Sequence, residues 1–465
     1  MKRLPRNFLS LLLSDVARRI LGFLAVAYLA RTIGLFGFGA LSLALTALSY
    51  VIMVSSAGLH VLGTREIAHV DSPVLVGELL GVRLVNSLAA YAILFAVCYL
   101  FLRDDVLARL ILITCSAAFF QSLFLEWYFQ GREDMAVFSR ARTASALLYL
   151  LILVVFVRSV NDLMLAAVAG PVGDMLAAVW MWKAYERRQG PLRISFTPAR
   201  WAALMKQAFP MGSGSILAHL SINLPPIILG ILFTTAEVGI YSAASKLVFF
   251  LLMIDRVFAT LLLPASVRLR TTSAEALSST LTTTLKWIML LGLPLSLGGM
   301  VLAPKLFVII FGGAFADSAL VFRVMVWYFF LTMLHSVYMT GLFALRKERE
   351  FGKIMAVSAA IYAVSCIALA RLFGAPGAAL GVVFSEGVTV VLMRKKLLDY
   401  LPLVSPNSVA RVMLASGAMA AILMMFPGLH IAIAIVAGGA FYSVAVYLTR
   451  AVTREEILAL GRRMA

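Results

Sequence analysis

Long apolar runs, separated by short polar gaps, follow one another along nearly the whole chain. A helix of about 20 apolar residues crosses a bilayer, and by this measure the sequence predicts about fourteen transmembrane helices. The predicted spans lie near residues 8–31, 38–62, 80–102, 106–129, 142–160, 162–182, 208–233, 240–263, 282–303, 320–345, 354–373, 376–392, 409–426 and 429–448. The pattern therefore predicts an all-α polytopic membrane protein.

Composition agrees with this pattern and also affects the interpretation of the net charge. Hydrophobic residues make up 62% of the chain and charged residues only 13%, whereas soluble domains carry about 25% charged residues. The formal net charge is +18, which by itself would suggest a nucleic-acid partner. The Lys and Arg residues, however, cluster in alternate gaps, as in cytoplasmic loops of membrane proteins. We therefore expect no nucleic-acid partner, an even number of spans and both termini in the cytoplasm.

The longest gap, 183–207, is basic and separates two groups of six spans. The sequence GFGALSLALTALSY from Gly37 and the sequence EVGIYSAASKLVFF from Glu237 open the second span of each group, which indicates an internal repeat. Parallel repeats of this kind occur in transporters, with the binding site where the repeats meet. The expected domains are an N-terminal six-helix lobe at 1–182, a cytoplasmic linker at 183–207, a C-terminal six-helix lobe at 208–392, and two further spans with a cytoplasmic tail at 393–465.

Charged residues lie inside the first span. Asp15, Arg18, Arg19 and Gly22 share one helical face, because they follow the spacing i, i+3, i+4 and i+7. A charge at the bilayer centre costs about 2.5–3.5 kcal/mol on insertion scales. We therefore expect this face to line a water-filled, cationic path. The alternative is that Arg18 and Arg19 reach back to the lipid headgroups along their aliphatic stems.

The seventh and eighth spans also carry polar groups. Lys246, Asp255 and Arg256 interrupt the eighth span, and Asp255 with Arg256 mirrors Asp15 with Arg18. The alternative for each Arg is an ion pair with the adjacent acid that only fixes helix packing.

In the seventh span, His219 and Asn223 at i and i+4 are expected to point inward, and Pro225 with Pro226 is expected to kink the helix and act as a hinge. For His219 the alternative is a satisfied hydrogen bond between helices.

Four acids within spans are candidates for coupling transport to H⁺ or Na⁺, because a protonatable or ion-binding carboxylate is what such coupling needs. They are Asp15, Asp174, Asp255 and Glu386. The alternative is structural pairing. Glu386 has no neighbouring cation in sequence, so it is either paired across helices or protonated. Glu126 is expected to anchor a span end at the membrane interface, and 131–142 is expected to form an interfacial helix.

Several classes of function lack their motifs. No G-x-x-x-x-G-K-[ST] occurs, so the chain carries no P-loop for ATP hydrolysis. The five His and three Cys are scattered, and Cys98, Cys115 and Cys366 sit in apolar runs, so we expect no disulfide, metal site or other cofactor. No large loop is predicted outside the cytoplasm, which argues against a membrane-embedded enzyme of glycan assembly.

Four stretches resemble a known family. They are ARTIGLFGFGALSLALTALSY (30–50), SSAGLHVLGTREIA (55–68), EWYFQGREDM (126–135) and PPIILGILFTTAEVGIYSAASKL (225–247). With the span count and the two lobes, they resemble the polysaccharide-transporter branch of the multidrug/oligosaccharidyl-lipid/polysaccharide exporter superfamily, the Wzx-type O-antigen and capsule flippases. The resemblance implies two six-helix lobes in a V that open alternately to either side. It also implies an undecaprenyl-pyrophosphate-linked oligosaccharide as cargo, flipped to the periplasmic leaflet of the bacterial inner membrane.

With this cargo, the polar residues gain candidate roles. A pyrophosphate needs a hydrated cationic cavity, since it cannot enter hydrocarbon unsatisfied. The expected substrate-binding residues are Arg18, Arg19, Lys246, Arg256, His219 and Asn223. Besides membrane lipids, a polysaccharide polymerase and a chain-length regulator are candidate partners in O-antigen (lipopolysaccharide) assembly, and the transporter is expected to be a monomer. The alternative is an ion-coupled multidrug or metabolite exporter of the same superfamily, whose cavity would favour acids over Arg and Lys.

Overall fold

The computed structural model of the protein describes residues 3–102, 105–256, 273–398 and 405–452, with five further positions (Phe258, Ala259, Leu262, Ser266 and Tyr400). Side chains are described from Val16 onward, except those of 214–221 and Ala274. These described residues form helices joined by short loops, and no strand occurs among them.

The helices of the N-terminal half are α1 (Arg3–Ser56), α2 (Leu59–His69), α3 (Pro73–Phe101), α4 (Asp105–Cys115), α5 (Ala117–Ser122), α6 (Glu126–Gly131), α7 (Met135–Phe156), α8 (Leu163–Gln189) and α9 (Pro198–Leu232). Those that follow are α10 (Thr235–Leu251), α11 (Ala274–Ile310), α12 (Ser318–Ala344), α13 (Glu348–Lys395), α14 (Pro406–Met425) and α15 (Ile431–Leu448).

The helices account for the predicted membrane spans. Among the described residues, eleven helical stretches are long and apolar enough to cross a membrane. Two of them contain a break where glycine adopts a positive φ, at Gly34 (70°) in α1 and at Gly374 (62°) in α13, which a residue without Cβ does readily. Each break separates two predicted spans, and α9 covers the seventh. The prediction of an all-α polytopic protein with about fourteen spans is confirmed.

The chain divides into two compact units, Met1–Ser242 and Ala243–Ala465. Between α8 and α9 only a short loop remains of the predicted linker, since α8 continues to Gln189 and α9 begins at Pro198. The lobe boundaries taken from the sequence stay a prediction.

The core of the first unit is aromatic where α2, α6 and α8 meet. Trp127, Tyr128 and Tyr185 are almost fully buried, and the rings of Tyr128 and Tyr185 pack edge to face at 4.9 Å. Gly63 allows this packing, because a Cβ there would lie 2.5 Å from Cε3 of Trp127. The cluster fixes the short helix α6, and therefore the position of its first residue, Glu126.

A close helix contact joins two glycines that the sequence repeat had aligned. A Cβ on Gly39 would lie 1.7 Å from the carbonyl oxygen of Thr235 and 2.8 Å from the nitrogen of Gly239. A Cβ on Gly239 would lie 2.6 Å from the carbonyl oxygen of Leu35. The start of α10 therefore meets α1 backbone to backbone.

In the second unit, the two C-terminal helices pack on α11. The Tyr442 hydroxyl of α15 donates to the carbonyl oxygen of Leu290 at 2.7 Å, and the Lys305 ammonium donates to the carbonyl oxygen of Leu429. Phe307 and Phe311 of α11 stack at 5.3 Å and are buried. The last two spans are therefore integral parts of the second unit.

Candidate functional site

The polar face of the first span lines a cavity inside the first unit. Arg18, Arg19 and Gly22 lie on the wall of a space of about 450 Å³. Its other walls come from the second half of α1 and from α4, α5, α7 and α8, and they include Thr114, Gln121, Arg142, Ser145, Tyr149 and Asp174. The structure thus brings together three of the candidate binding and coupling residues, Arg18, Arg19 and Asp174. Their roles in binding or coupling stay predictions.

Asp174 is held by two partners across the wall of this cavity. Its carboxylate lies 3.8 Å from the Arg142 guanidinium and accepts a hydrogen bond from the Gln121 amide at 2.7 Å. Only 15% of the Asp174 side chain is exposed. Arg142 also lies over the ring of Phe124, at 5.1 Å from its centre. Structural pairing was the alternative role for Asp174 in the sequence analysis, and Arg142 is the residue with which it pairs.

The predicted interfacial helix at 131–142 is wrong. Glu133 has a positive φ of 56°, which ends the turn after α6, and α7 then runs unbroken from Met135 to Phe156. Because α7 begins at Met135, Arg142 lies two turns inside this helix and reaches the cavity wall.

A second cavity of about 380 Å³ lies in the same unit and shares Gln121 and Arg142 with the first. Arg83 and Glu126 line it, and the expectation that Glu126 anchors a span end at the membrane interface stays a prediction. Arg83 is only 7% exposed and donates to the carbonyl oxygens of Phe124 and Gln121, each at 2.8 Å. These contacts hold the chain before α6 and direct Glu126 inward.

Sequence analysis missed Arg83, Gln121 and Arg142. Arg83 had a usable signal, because it is a lone charge inside an apolar run, and such residues are mostly functional or paired. Gln121 and Arg142 carry no comparable signal, since their importance comes from the helices that pack around them.

The second unit places two of the candidate acids in hydrogen-bonded pairs. The Ser336 hydroxyl donates to one Asp255 carboxylate oxygen at 2.9 Å, and the other oxygen is buried without a hydrogen-bond partner. His335 is the residue before Ser336, and its Nδ1 lies 2.7 Å from the Glu386 carboxylate. Both side chains of that pair are at most 16% exposed. Glu386 therefore has the cross-helix partner that its own neighbourhood in sequence lacks, and its coupling role stays a prediction.

The remaining described candidates lie on α9, on α10 and just after α10. Lys246 is half-buried on α10, and Arg256 is exposed beside Asp255. Asn223 is half-buried, and Pro225 and Pro226 are buried within α9, which is helical on both sides of them. Their roles stay predictions.

Two candidates, Asp15 and His219, lie outside the residues whose side chains are described. Among the described residues, no group of three or more His, Cys, Asp or Glu forms a candidate metal site.

The first cavity is suited to an anion. Guanidinium groups bind phosphate oxygens through pairs of parallel N–H donors and keep their charge under all physiological conditions. Arg18, Arg19 and Arg142 bring three such groups to the wall, and Asp174 balances one of them. The described walls therefore place three guanidinium groups and one carboxylate around a space of low dielectric, where electrostatic interactions are stronger than in water.

Comparisons with known proteins agree with the fold. The family described as "Polysaccharide biosynthesis protein" matches residues 4–270. No curated protein matches the sequence. Among solved structures, the lipid II flippase MurJ in an inward closed conformation is 15% identical, with a TM-score of 0.76 over 94% of this chain and 99% of that one.

Two other solved structures are similar to the chain over a smaller part. An inward-facing multidrug resistance MATE family transporter of the MOP superfamily is 13% identical, with a TM-score of 0.66 over 82% of this chain and 95% of that one. A MOP superfamily transporter from Pyrococcus furiosus, described as having a binding pocket of reverse polarity, is 15% identical, with a TM-score of 0.53 over 84% of this chain and 94% of that one. At these identities the likeness concerns the fold.

Proposed function

Because this chain belongs to the polysaccharide biosynthesis protein family, we propose that it is a flippase for a lipid-linked oligosaccharide. The cargo is an undecaprenyl-pyrophosphate-linked glycan, moved by alternating access from the cytoplasmic to the periplasmic leaflet for surface polysaccharide assembly. The observation that carries this proposal is the cavity of the first unit, in which Arg18, Arg19 and Arg142 face a space of about 450 Å³.

The chemistry of the cargo explains why such a cavity is needed. A pyrophosphate and its sugars cannot cross hydrocarbon without partners for their charges and hydroxyl groups. Arginines on a cavity wall supply fixed donors for the phosphate oxygens. The shared fold with a lipid II flippase supports a lipid-linked cargo. The same reasoning makes the protein a transporter and not an enzyme.

The second unit supplies a candidate for energy coupling. Asp255 and Glu386 are bonded to Ser336 and His335, which are groups that can rearrange when a proton or Na⁺ binds. We propose that these acids couple flipping to H⁺ or Na⁺. The protein would act as a monomer in the bacterial inner membrane, with both termini in the cytoplasm and with a polysaccharide polymerase and chain-length regulator as partners.

The test is the double variant Arg18→Gln/Arg19→Gln in a strain whose own gene is deleted. Surface polysaccharide is measured by gel staining, and the amount of protein in the membrane is measured by immunoblotting. We expect at least a tenfold fall in polysaccharide at an unchanged protein level. The matched control is Arg140→Gln, because Arg140 is an exposed arginine on α7. Full export by the double variant would contradict the proposal.

The second candidate function is an ion-coupled multidrug or metabolite exporter. The MATE transporter fold and the buried acids of the second unit favour it. A deletion strain separates the two candidates. Loss of surface polysaccharide with normal dye resistance supports the flippase, whereas normal polysaccharide with increased sensitivity to cationic dyes supports the exporter.

A further inference from the structure

The second cavity of the first unit, next to the one lined by Arg18 and Arg19, differs from it in chemistry. Its walls combine Arg83 and Arg142 with Glu126, His60 and several serines. The described walls of this cavity set two arginines beside one carboxylate, whereas those of the first cavity set three arginines beside Asp174. The first is therefore better suited to a phosphate, which arginine binds through charge-assisted hydrogen bonds. A site that mixes donors and acceptors is instead suited to hydroxyl groups, each of which donates one hydrogen bond and accepts others.

The serines of this cavity act as acceptors. Ser49, Ser55 and Ser56 of α1 and Ser122 of α5 all line it. Each hydroxyl donates its proton to a backbone carbonyl of the preceding turn, at distances from 2.7 to 3.3 Å. Because their single donors are used in this way, the oxygen lone pairs remain for a ligand that donates.

Glu126 is oriented by a chain of side chains. The Gln130 amide nitrogen donates to the Glu126 carboxylate at 3.4 Å, so the amide oxygen of Gln130 accepts from Nε2 of His60 at 3.0 Å. His60 thereby fixes the amide group of Gln130, which in turn orients the carboxylate of Glu126.

Donors complete the cavity. Arg83 lines it through a buried guanidinium whose terminal nitrogens both donate to carbonyl oxygens. Gln121 and Arg142 lie on the wall that the two cavities share. Phe124 adds an apolar ring at the same wall, and sugars present apolar C–H faces to such rings.

We propose that the second cavity is a carbohydrate subsite, which holds a sugar of the cargo while the first cavity holds its pyrophosphate. The volume of about 380 Å³ falls in the range of small-molecule sites. This inference rests on the proposed flippase function. It adds that the two cavities of the first unit bind different parts of the same cargo. Arg142 and Gln121 lie where the two parts of the headgroup would join.

The experiment measures binding of two lipids to the full chain in nanodiscs by native mass spectrometry. One probe is undecaprenyl pyrophosphate, and the other is the same lipid carrying one N-acetylglucosamine. We expect Glu126→Gln to weaken binding of the sugar-bearing lipid about tenfold, as for one hydrogen bond to a charged group, and to leave the bare lipid unchanged. The matched control is Glu133→Gln, because Glu133 is exposed.

The two lipids make the outcomes distinct. Equal weakening of both lipids by Glu126→Gln, or no change for either, overturns the subsite. If Arg18→Gln weakens neither lipid while Glu126→Gln discriminates between them, the pyrophosphate assignment fails and the sugar subsite stands. Should Glu126→Gln not accumulate in the membrane, the double variant Ser56→Ala/Ser122→Ala takes its place. It removes two acceptors, and we expect a roughly fivefold loss that is confined to the sugar-bearing lipid.

Discussion

The two units of the protein treat their buried charges differently. In the first unit, Arg142 faces Asp174, and Arg83 is bonded only to backbone carbonyl oxygens. In the second unit, Asp255 is bonded to a serine hydroxyl and Glu386 to a histidine. Arginine keeps its proton in proteins, so these arginines are the permanent charge of the first unit. Asp255 and Glu386, which we propose to couple flipping to H⁺ or Na⁺, are the changeable charge of the second unit.

The largest expected effect tests the permanent charge as a part of the fold. In Arg83→Met, the carbonyl oxygens of Phe124 and Gln121 lose their charged donors, which costs roughly 3 kcal/mol because hydrogen bonds to charged groups contribute about 1.5–3 kcal/mol each. We expect a clear fall in the thermal unfolding temperature of the purified protein. Arg140→Met, at an exposed position of α7, serves as the control. An unchanged unfolding temperature for Arg83→Met would show that this arginine does not hold the chain before α6.

The next effect tests the changeable charge. Glu386→Gln preserves shape and a hydrogen bond to His335 but removes the ability to exchange a proton or bind Na⁺. We expect the transport rate of the lipid-linked glycan in proteoliposomes to lose its dependence on the ion gradient. The rate should fall about a hundredfold, the lower end of the range for a positioned proton-transfer group. Glu350→Gln, at an acid near the start of α13, is the control. A variant that still responds to the imposed gradient would remove Glu386 from the coupling mechanism.

A smaller effect tests how the acid balances the first cavity. Asp174→Asn keeps an acceptor for the Gln121 amide but leaves Arg142 without its counter-charge. We expect undecaprenyl pyrophosphate to bind about fivefold more tightly, corresponding to about 1 kcal/mol. Binding to nanodisc samples at two salt concentrations measures this, because screening by salt reduces an electrostatic gain. Weaker binding would mean that Asp174 positions Arg142 more than it neutralises it.

The smallest effect separates charge from geometry. Arg18→Lys keeps the positive charge but loses the planar pair of donors that matches a phosphate. We expect about a threefold loss in affinity for undecaprenyl pyrophosphate, compared with about tenfold for Arg18→Gln. If Arg18→Lys and Arg18→Gln weaken binding equally, two-point contact by the guanidinium is the dominant interaction. If Arg18→Lys binds the lipid as tightly as the native protein does, the positive charge alone accounts for binding.

Much of the fold follows from the sequence, because a helix that crosses lipid needs about 20 apolar residues. Apolar length identified the spans, and the spacing of Arg18, Arg19 and Gly22 identified the face that lines the cavity. The breaks at Gly34 and Gly374 fall between predicted spans, although the helices themselves are nearly continuous there.

The partners of the buried charges did not follow from the sequence. His335 and Glu386 are 51 positions apart in the chain. Only the packing of the helices brings them together. Arg142 was predicted to end an interfacial helix at 131–142, whereas it lies on α7 at the wall of the cavity. A single sequence shows which residues are costly to bury but not which neighbour compensates for the cost.

The contact between Gly39 and Gly239 has a mechanical consequence. Side chains that interdigitate between helices resist sliding, because packed interiors must separate before they can move past one another. At this crossing the two glycines bring backbone against backbone, because a Cβ on either one would overlap the carbonyl oxygen of the other helix. Fewer side chains must therefore separate for the crossing angle to change there than at a crossing lined by leucines.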